Sequence, residues 1–397
     1  MSSLRPEPGL PGRRPEQAAT SPCPEGGRAR AQREGALSPR GDLWLDANEN
    51  PYSWPERVLA LAWESFLSQG PERYPRDRVR LCRALGAYAG VPEEWVLPGN
   101  GSDELIIALL SSLGRRVRRV LLPWPSFAFY RQVGEALGAP VSPLPLGPDF
   151  SLPRHELLRT LGREGETLVV LCRPNNPTGN LFPRDLIPAA LDAGAWVAVD
   201  EAYHEFCGET VTDLVGCYPR LVVLRTMSKA FALAGLRVGY ALAHPDTLAL
   251  LRAVMQPYSV DAFSQAAALV ALEHASLSAR WVRAICAARE RLRLDLGGTA
   301  GVRPWPSRAN FLLVEVLPEA GHLAGEVVVA LAAGGVRVRY WAAEPRLRDF
   351  FRVSVGLPGE NCAFVAELRR VLAREQVGSS LGVGAPARGQ AGPEQEG

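Results

Sequence analysis

The chain contains a single lysine, which stands out among the side chains that could do chemistry. Its 397 residues include 44 basic residues, of which 43 are arginine and one is Lys229. Arginine stays charged in proteins, whereas a lysine amine can lose its proton and then attack a carbonyl to form a Schiff base. Any surface charge here could have been arginine, as it is at every other basic position. The isolated lysine is therefore either a chance remnant of a biased composition or a residue whose chemistry arginine cannot perform, and the count favours the second interpretation.

Other polar side chains accompany Lys229 at the ends of three predicted strands that are consecutive in the sequence. Three apolar runs lead directly into polar motifs, namely TLVVLC into RPNNPTG, AWVAVD into EAYHEF and RLVVLR into TMSKAF. Open α/β sheets bind ligands just beyond the carboxyl ends of their strands. We therefore expect Asn176, Asp200, Tyr203 and Lys229 to meet at one edge of a sheet. Taken singly, each motif could also be a plain turn, a helix cap or a core aromatic.

This combination of side chains matches the needs of pyridoxal phosphate. The cofactor requires a lysine for its aldehyde, a carboxylate for its ring nitrogen and a cluster of donors for its phosphate. Lys229 can supply the amine, and Asp200 can keep the ring nitrogen protonated so that the ring acts as an electron sink. Asn176 and Tyr203 can hydrogen-bond the ring hydroxyl. Lys229, Asp200 and Tyr203 are the predicted catalytic residues.

The phosphate of this cofactor has candidate ligands of its own. A glycine-rich turn opens a helix in the stretch GNGSDELIIALL, and free amides with a helix dipole suit a phosphate. We expect this turn to contribute through Gly101, Ser102 and the amide of Asp103, because the Asp103 carboxylate would repel the anion. The lysine motif offers three more candidate donors: Thr226, Ser228 and Arg237. An ordinary helix N-cap is the alternative interpretation of the turn.

The elements that must position these residues indicate an α/β fold. Residues 80–350 alternate short apolar runs with helical patterns. RRVLLP is a fourth predicted strand, and these strands are apolar enough to be buried on both faces. Helices such as residues 183–191 fit the crossovers. After residue 276 come a long amphipathic helix, three predicted strands (NFLLVEV, VRVRYW and FRVSVG) and a closing helix, which together indicate a smaller α+β domain.

Composition suggests boundaries along the chain. Residues 1–40 are rich in Pro, Gly and Arg, and residues 376–397 are similar, so that both are predicted to be disordered tails. An upstream extension from a wrongly chosen start is the alternative interpretation of residues 1–40. Between them we expect an N-terminal arm over residues 41–75, a large cofactor-binding domain over 76–275 and a small domain over 276–375.

Bulk composition argues against several classes of function. The hydrophobic content of 47% suffices for a globular core, and the net charge of +2 gives no drive toward nucleic acid or an anionic membrane. No apolar run approaches the length of a membrane span. The seven scattered cysteines form no CxxC pair and no Cys/His cluster. The pattern predicts a cytoplasmic protein with reduced thiols and without a metal site.

The order of these motifs resembles that of the histidinol-phosphate aminotransferases, which are class I/II, fold-type I pyridoxal-phosphate enzymes. The resemblance covers about residues 43–373 and is carried by DANENP, GNGSDE, PNNPTG, DEAY, SKAFALAGLR and FRVSVG. SKAFALAGLR is the most specific of these motifs, whereas PNNPTG marks only the wider superfamily. The resemblance implies a large domain with a mostly parallel mixed sheet and a smaller C-terminal domain.

The resemblance also implies a homodimer with active sites shared at the interface. Tyr74, in the RYP segment, matches a tyrosine that reaches the partner's cofactor phosphate. Phe127 matches the aromatic residue that stacks on the pyridine ring; family members usually have tyrosine there, but stacking needs only a ring face.

Further matches concern the substrate pocket. Arg352 and Arg339 match positions that bind the substrate's anion, for which a guanidinium fork is suited. Asn48 and Glu49 lie in the N-terminal arm and are expected to shape the pocket. Asn310 also fits the family pattern, although it could be a simple turn residue.

The reaction implied by the resemblance is a ping-pong transamination in histidine biosynthesis. Histidinol phosphate would be converted to imidazole acetol phosphate, and 2-oxoglutarate would leave as glutamate. Lys229 would move the proton at the substrate's Cα, and arginine would bind both the phosphate ester and the dicarboxylate. Aromatic amino-acid aminotransferase and threonine-phosphate decarboxylase are the alternatives. The stretch GALSPRGDLW lacks a tyrosine with which many family members cover the substrate, which bears on the choice of substrate.

Two other classes of protein contain related domains. Some transcription regulators join such a domain to a winged helix, but residues 1–40 are too rich in Pro and Gly to form a helix-turn-helix core. A cofactor-binding protein without turnover is disfavoured, because the lysine, aspartate, asparagine and tyrosine are all present.

Overall fold

The described part of the chain, residues 42–113, 116–161 and 167–373 of a computed structural model, alternates strands with helices. The predicted tails, residues 1–40 and 376–397, lie outside the described residues. Thirteen strands are present in this part: β1 (Leu43–Trp44), β2 (Val96–Asn100), β3 (Arg119–Trp124), β4 (Val141–Pro145), β5 (Thr167–Cys172), β6 (Trp196–Asp200), β7 (Leu221–Thr226), β8 (Val238–Ala243), β9 (Val302–Pro304), β10 (Phe311–Val316), β11 (Val336–Arg337), β12 (Arg339–Tyr340) and β13 (Phe350–Ser354). Twelve α-helices accompany them: α1 (Glu56–Gln69), α2 (Arg78–Ala89), α3 (Gly101–Leu113), α4 (Ala128–Ala136), α5 (Arg154–Leu161), α6 (Leu186–Asp192), α7 (His204–Cys207), α8 (Pro245–Arg252), α9 (Ala262–Glu273), α10 (Ala275–Gly297), α11 (Ala324–Ala333) and α12 (Pro358–Ala373).

A seven-stranded mixed sheet with the order β2-β8-β7-β6-β5-β3-β4 forms the larger layer. The strands β4, β3, β5, β6 and β7 run parallel, whereas β8 pairs antiparallel with both β7 and β2. Every residue of β5 and β7 is buried. The sequence-based predictions of these strands, of a mostly parallel mixed sheet and of burial on both faces are therefore confirmed.

Alternate residues of the strands fill two separate hydrophobic cores, as the two-residue repeat of a strand requires. Along β5, Leu168 and Val170 pack toward a core that also contains residues of α3, α4 and α8. Val169 and Leu171 pack toward the opposite core, which contains residues of α1, α2, α5 and α6. Each fully buried aliphatic side chain contributes about 1.5–3 kcal/mol relative to exposure, so the central strands are anchored from both faces.

A four-stranded antiparallel sheet, in the order β12-β13-β10-β9, lies toward the C-terminal end of the chain. The long helix α10 and the closing helix α12 were both predicted, and they share a core with β10 and β13. The single strand predicted for VRVRYW was wrong, because this stretch divides between two sheets. Its first part, β11, pairs with β1, and its second part, β12, pairs with β13.

Two further sequence-based expectations concern the domain boundaries and membrane-spanning segments. The arm, large-domain and small-domain boundaries at residues 41–75, 76–275 and 276–375 stay a prediction. No helix among the described residues is long and apolar enough to cross a membrane.

Candidate active site

A cleft of about 200 Å³ opens beyond the carboxyl ends of the central parallel strands. In this region β5, β6 and β7 are neighbours in parallel register, so that Cys172 lies opposite Asp200 and Asp200 lies opposite Leu224. Twelve of the sixteen residues predicted for the site line the cleft: Asn48, Ser102, Asp103, Phe127, Asn176, Asp200, Tyr203, Thr226, Ser228, Lys229, Arg237 and Arg352. The structure thus brings together side chains from three strand ends, the arm and the C-terminal sheet.

Lys229 follows β7 and carries an amine that is easily deprotonated. Burial lowers its pKa from 10.5 to about 8, and the positive charges of Arg352 and Arg237 act in the same direction, whereas Glu49 opposes them. The amine donates a hydrogen bond to the carbonyl of Ala47 at 2.9 Å. A lysine with this pKa has a substantial neutral fraction near pH 7, as a nucleophile or a base requires.

The backbone of the lysine loop is held by the N-terminal arm. The amide of Asn50 donates to the carbonyls of Lys229 and Ala230, both at 3.1 Å. The indole of Trp54 donates to the carbonyl of Phe231 at 2.7 Å. These three bonds fix the carbonyl groups around the lysine, so that its side chain starts from a defined position.

Asp200 ends β6 and has only 5% of its surface exposed. Its carboxylate accepts hydrogen bonds from the hydroxyl of Tyr130 at 3.0 Å and from the backbone amide of Ala202 at 3.1 Å. Burial raises its pKa to about 6, although these two donors oppose the effect. Asp200 is therefore mostly ionised at neutral pH and can hold a positively charged partner in the cleft.

Tyr203 is fixed by a residue of the arm. The amide of Asn48 donates to the Tyr203 hydroxyl at 2.9 Å. Asn48 has a positive φ of 53° and is itself held, because its backbone amide donates to Ser354 and its carbonyl accepts from Asn310. Burial raises the pKa of Tyr203 to about 12, so this hydroxyl keeps its proton and can donate it in a hydrogen bond.

Arg352 projects from β13 into the cleft and is buried, with 6% of its surface exposed. Its Nη1 donates to Asn176 Oδ1 at 2.6 Å, and its Nη2 donates to the carbonyl of Asp46. The rings of Phe311 and Trp341 lie 5.3 and 5.6 Å from the guanidinium, a distance at which a cation is stabilised by an aromatic face. Its Nε is buried and lacks a hydrogen-bond partner within the described residues.

Polar groups around the start of α3 form a cluster of potential anion ligands. Arg237 Nη2 lies 2.6 Å from Asp103 Oδ2, and its Nη1 lies 3.4 Å from Ser228 Oγ. The Thr226 hydroxyl donates to Ser228 Oγ at 2.9 Å. The carboxylate that the sequence suggested would repel a phosphate is therefore neutralised by Arg237.

Two glycines permit the close approach of backbone segments in this cluster. A Cβ at Gly239, on β8, would lie 2.3 Å from the backbone nitrogen of Ser102. A Cβ at Gly101, whose φ is +73°, would lie 2.6 Å from Arg237 Nη2. Side chains at either position would displace the donors, so the geometry of the cluster depends on glycine.

Four predicted residues do not line the cleft. Tyr74 is 72% exposed and stacks on Tyr258, with ring centroids 4.5 Å apart. Glu49 is exposed and borders a neighbouring cavity of about 310 Å³. Arg339 is exposed on the outer strand β12, directly opposite Arg352 in the register. Gly101 contributes through its backbone position at the start of α3.

Some residues at the site were missed by the sequence reasoning. Tyr130 contacts Asp200, and the carbonyl of Ala47 contacts Lys229. Tyr130 could have been predicted as a site residue from its position three residues after Phe127, because residues at this spacing lie on the same face of a helix. The Ala47 contact involves only a backbone atom and leaves no signal in the sequence. In the part of the chain that the structure describes, no group of three or more His, Cys, Asp or Glu residues could hold a metal ion.

Comparisons with known proteins agree with this geometry. Residues 40–368 match the family model of the aminotransferases of class I and II. The histidinol-phosphate aminotransferase of Roseiflexus castenholzii is 38% identical over 82% of this chain and 89% of its own length. That of Thermococcus kodakarensis is 39% identical over 81% of this chain and 90% of its own length.

A solved structure shows the same fold. It is the histidinol-phosphate aminotransferase of Sinorhizobium meliloti in complex with pyridoxal-5′-phosphate, which aligns with a TM-score of 0.74 at 24% identity and covers 83% of this chain and 90% of that chain. The predicted fold-type I architecture is thereby confirmed. Because the family model spans most of the chain and the relatives align over nearly their whole length, this protein belongs to the class I and II aminotransferases and is an aminotransferase.

Proposed function

We propose that the protein transfers the amino group of histidinol phosphate to 2-oxoglutarate, with pyridoxal phosphate as its cofactor. The relatives described above carry the name of this activity. The proposal rests on one observation: the amine of Lys229, the carboxylate of Asp200 and the guanidinium of Arg352 line the same cleft. A nucleophilic amine, an ionised carboxylate and an anion-binding cation are the groups that this reaction requires.

The residues of the cleft fit pyridoxal phosphate. A phosphate suits the cluster at the start of α3, where the amide groups of a helix N-terminus, Thr226, Ser228 and Arg237 converge. The backbone approach at Gly239 leaves no space for a side chain between β8 and this cluster. A bound phosphate would compete with Asp103 for Arg237, because both are anions within reach of the same guanidinium.

The remaining cofactor contacts follow from the chemistry of the donors. We assign Asp200 to the ring nitrogen, Asn176 and Tyr203 to the ring hydroxyl and Phe127 to the face of the ring. Asn176 Oδ1 already accepts from Arg352, so the Asn176 amide group keeps its two N–H donors for the hydroxyl. When bound, the cofactor supplies an aldehyde for the amines and a ring that takes up the electron pair released at the substrate's Cα.

In the proposed reaction, Lys229 carries the proton to and from the substrate. Its pKa of about 8 keeps part of the amine neutral at pH 7, so that it can remove a proton from the substrate's Cα and return one to the product. Asp200, ionised above pH 6, holds the proton on the ring nitrogen throughout. Tyr203, with its pKa raised to about 12, keeps its own proton and acts as a hydrogen-bond donor.

Arg352 is the proposed ligand for the anionic group of the substrate. Its burial and its unpartnered Nε leave a positive charge that an incoming anion can satisfy. Both histidinol phosphate and 2-oxoglutarate present an oxyanion, so one guanidinium can serve both halves of the reaction. The exposed Arg339 lies opposite Arg352 in the register of β12 and β13 and would add a second positive charge near the guanidinium.

We further propose that the protein works as a homodimer in the cytoplasm. The exposed Tyr74–Tyr258 stack is a suitable surface for a second copy to cover, because a pair of exposed aromatic rings is costly in water. Sedimentation of the purified protein, with Tyr74→Ala as the comparison, would test the assembly. The thiols of Cys82, Cys172 and Cys286 are unpaired, as expected in a reducing compartment, and fractionation of cells would test the location.

A single half-reaction tests the proposed function. The purified protein is loaded with pyridoxal phosphate and mixed with histidinol phosphate in the absence of any acceptor, while the absorbance of the cofactor is followed. Conversion to the pyridoxamine form at low substrate concentration, with phenylalanine much less effective, is the expected result. Lys229→Arg is the matched control, because it keeps the charge but cannot act as the amine, and it should show no conversion.

Other outcomes would redirect the assignment. Conversion with phenylalanine or tyrosine but not with histidinol phosphate would make the protein an aromatic amino-acid aminotransferase. Release of carbon dioxide from threonine phosphate would indicate the decarboxylase alternative. Turnover by Lys229→Arg would contradict the role of the lysine.

A further inference from the structure

Tyr130 is a buried tyrosine whose hydroxyl donates a hydrogen bond to the carboxylate of Asp200, a residue of the cleft. Its side chain has 1% of its surface exposed, and its hydroxyl donates to Asp200 Oδ2 at 3.0 Å. The other carboxylate oxygen, Oδ1, accepts from the backbone amide of Ala202. Each oxygen of Asp200 thus has one donor from the protein, and Tyr130 supplies the only side-chain donor found among the described residues.

The position of Tyr130 is set by the short helix α4, which starts directly after Phe127. One turn of this helix places the ring of Tyr130 at 6.2 Å from that of Phe127, with the planes nearly perpendicular. The perpendicular arrangement is a favourable one for aromatic pairs. The same helical turn therefore carries both the ring that faces the cleft and the hydroxyl that holds Asp200.

We propose that Tyr130 is a positioning residue, which orients the Asp200 carboxylate and keeps it ionised for the ring nitrogen of the cofactor. This inference rests on the proposed function, because it assigns Tyr130 a task only if pyridoxal phosphate binds in the cleft. Tyr130 itself need not touch the cofactor. It acts through Asp200 alone, by fixing one carboxylate oxygen and by stabilising the negative charge with a hydrogen bond.

The electrostatic surroundings show why such a donor is needed. Burial raises the pKa of Asp200 to about 6, and the nearby charges of Asp103 and Glu201 act in the same direction. Only two hydrogen bonds oppose these effects, and the one from Tyr130 is the larger of the two. Cys172 and Tyr203, which also lie near Asp200, are neutral at pH 7, whereas Lys229 and Arg352 line the same cleft and are mainly positive. The titration of Lys229 is common to the wild type and the variant, so it does not produce the difference between their curves. Loss of the Tyr130 hydroxyl would therefore raise the pKa of Asp200 further, toward neutral pH.

The test is the affinity for pyridoxal phosphate as a function of pH, measured by fluorescence titration of the apoprotein from pH 5.5 to 8.5. Tyr130→Phe removes one oxygen atom and adds none, so the fold should be retained, which circular dichroism and thermal melting would verify. We expect wild-type affinity to rise as Asp200 ionises, and we expect this rise to move upward by about one pH unit in Tyr130→Phe. At pH 5.5 the variant should bind about eightfold more weakly than the wild type. The difference should narrow to about threefold at pH 6.5 and should nearly vanish by pH 8.5.

Two controls separate this effect from other causes. Tyr240→Phe removes the hydroxyl of another tyrosine with 1% exposure, which borders Arg225 instead of Asp200, and it should keep the wild-type curve. Asp200→Asn should lose the pH-dependent rise that is attributed to the carboxylate. A Tyr130→Phe curve that superimposes on that of the wild type, or one that is weaker by the same factor at every pH, would overturn the proposal. A wild-type protein that fails to bind the cofactor would instead overturn the proposed function, and this inference with it.

Discussion

The depressed pKa of Lys229 leads to a quantitative prediction about its reactivity. An amine whose pKa falls from 10.5 to about 8 is neutral in about one molecule in ten at pH 7, which is about 300 times the neutral fraction of an ordinary lysine. Only the neutral amine reacts with an acylating reagent. The rate of acylation of the apoprotein should therefore rise about tenfold per pH unit below pH 8 and level off above it, whereas an ordinary lysine would continue to gain reactivity up to about pH 10.

The sequence provides an unusually clear assay for this rate. Because Lys229 is the only lysine, trypsin cuts between Arg225 and Arg237 at a single further point. Acylation blocks that cut, so the modified protein yields the peptide Thr226–Arg237, and the unmodified protein yields Thr226–Lys229 instead. Mass spectrometry of these two peptides after timed exposure, from pH 6 to pH 10, gives the pH at which the rate levels off. Limited access of the reagent to the cleft would lower all rates equally and would not move that pH.

Two variants should shift the levelling point in opposite directions. Arg352→Gln removes a positive charge that disfavours the ammonium form, so the pKa of Lys229 should rise and labelling at pH 7 should slow. Glu49→Gln removes a negative charge that favours the ammonium form, so labelling at pH 7 should accelerate. The shift for Glu49→Gln should be the smaller and should shrink in high salt, because Glu49 is exposed. A wild-type rate that keeps rising tenfold per unit up to pH 10 would refute the reasoning.

Three further predictions concern the cofactor cleft and its support. In the apoprotein, Asp200→Asn should increase the free energy of unfolding at pH 8 by about 3 kcal/mol. The folded pKa of about 6 lies above the ordinary 3.8, so ionisation of Asp200 costs stability as pH rises through that window. The gain, measured by urea unfolding, should disappear by about pH 4. Gly239→Ala should weaken pyridoxal phosphate binding by about tenfold or more, because its Cβ would displace the Ser102 backbone. Gly297→Ala, at a position with open space and without a positive φ, should leave binding unchanged in the same titration. Arg225→Met should destabilise the protein by about 3–5 kcal/mol, because it leaves Glu201 as a buried charge without its ion-pair partner. The control Arg83→Met, at an exposed ion pair with Glu93, should leave the melting temperature nearly unchanged. Equal melting temperatures for the two variants would contradict this account.

The sequence alone determined the parts of this protein that depend on local pattern and on residue chemistry. The apolar runs at β5, β6 and β7 indicated buried parallel strands, because strands covered on both faces cannot tolerate polar residues in their middle. Polar motifs after those strands indicated a site at one sheet edge, because parallel strands end together. The predicted role of Lys229 as a nucleophile follows from its chemistry, since no arginine can replace a neutral amine.

Only the tertiary structure decided which distant residues support that site. Tyr130 and Asp200 are 70 residues apart in the chain, and Asn176 and Arg352 are 176 apart. Such contacts arise where a helix or a second sheet packs against the strand ends, and no local pattern records that packing. The same packing distinguished the buried Arg352 from Arg339, which lies on the outer strand and remains exposed. It also set the pKa values of Lys229 and Asp200, because burial, which shifts both toward neutrality, is a property of the assembled fold.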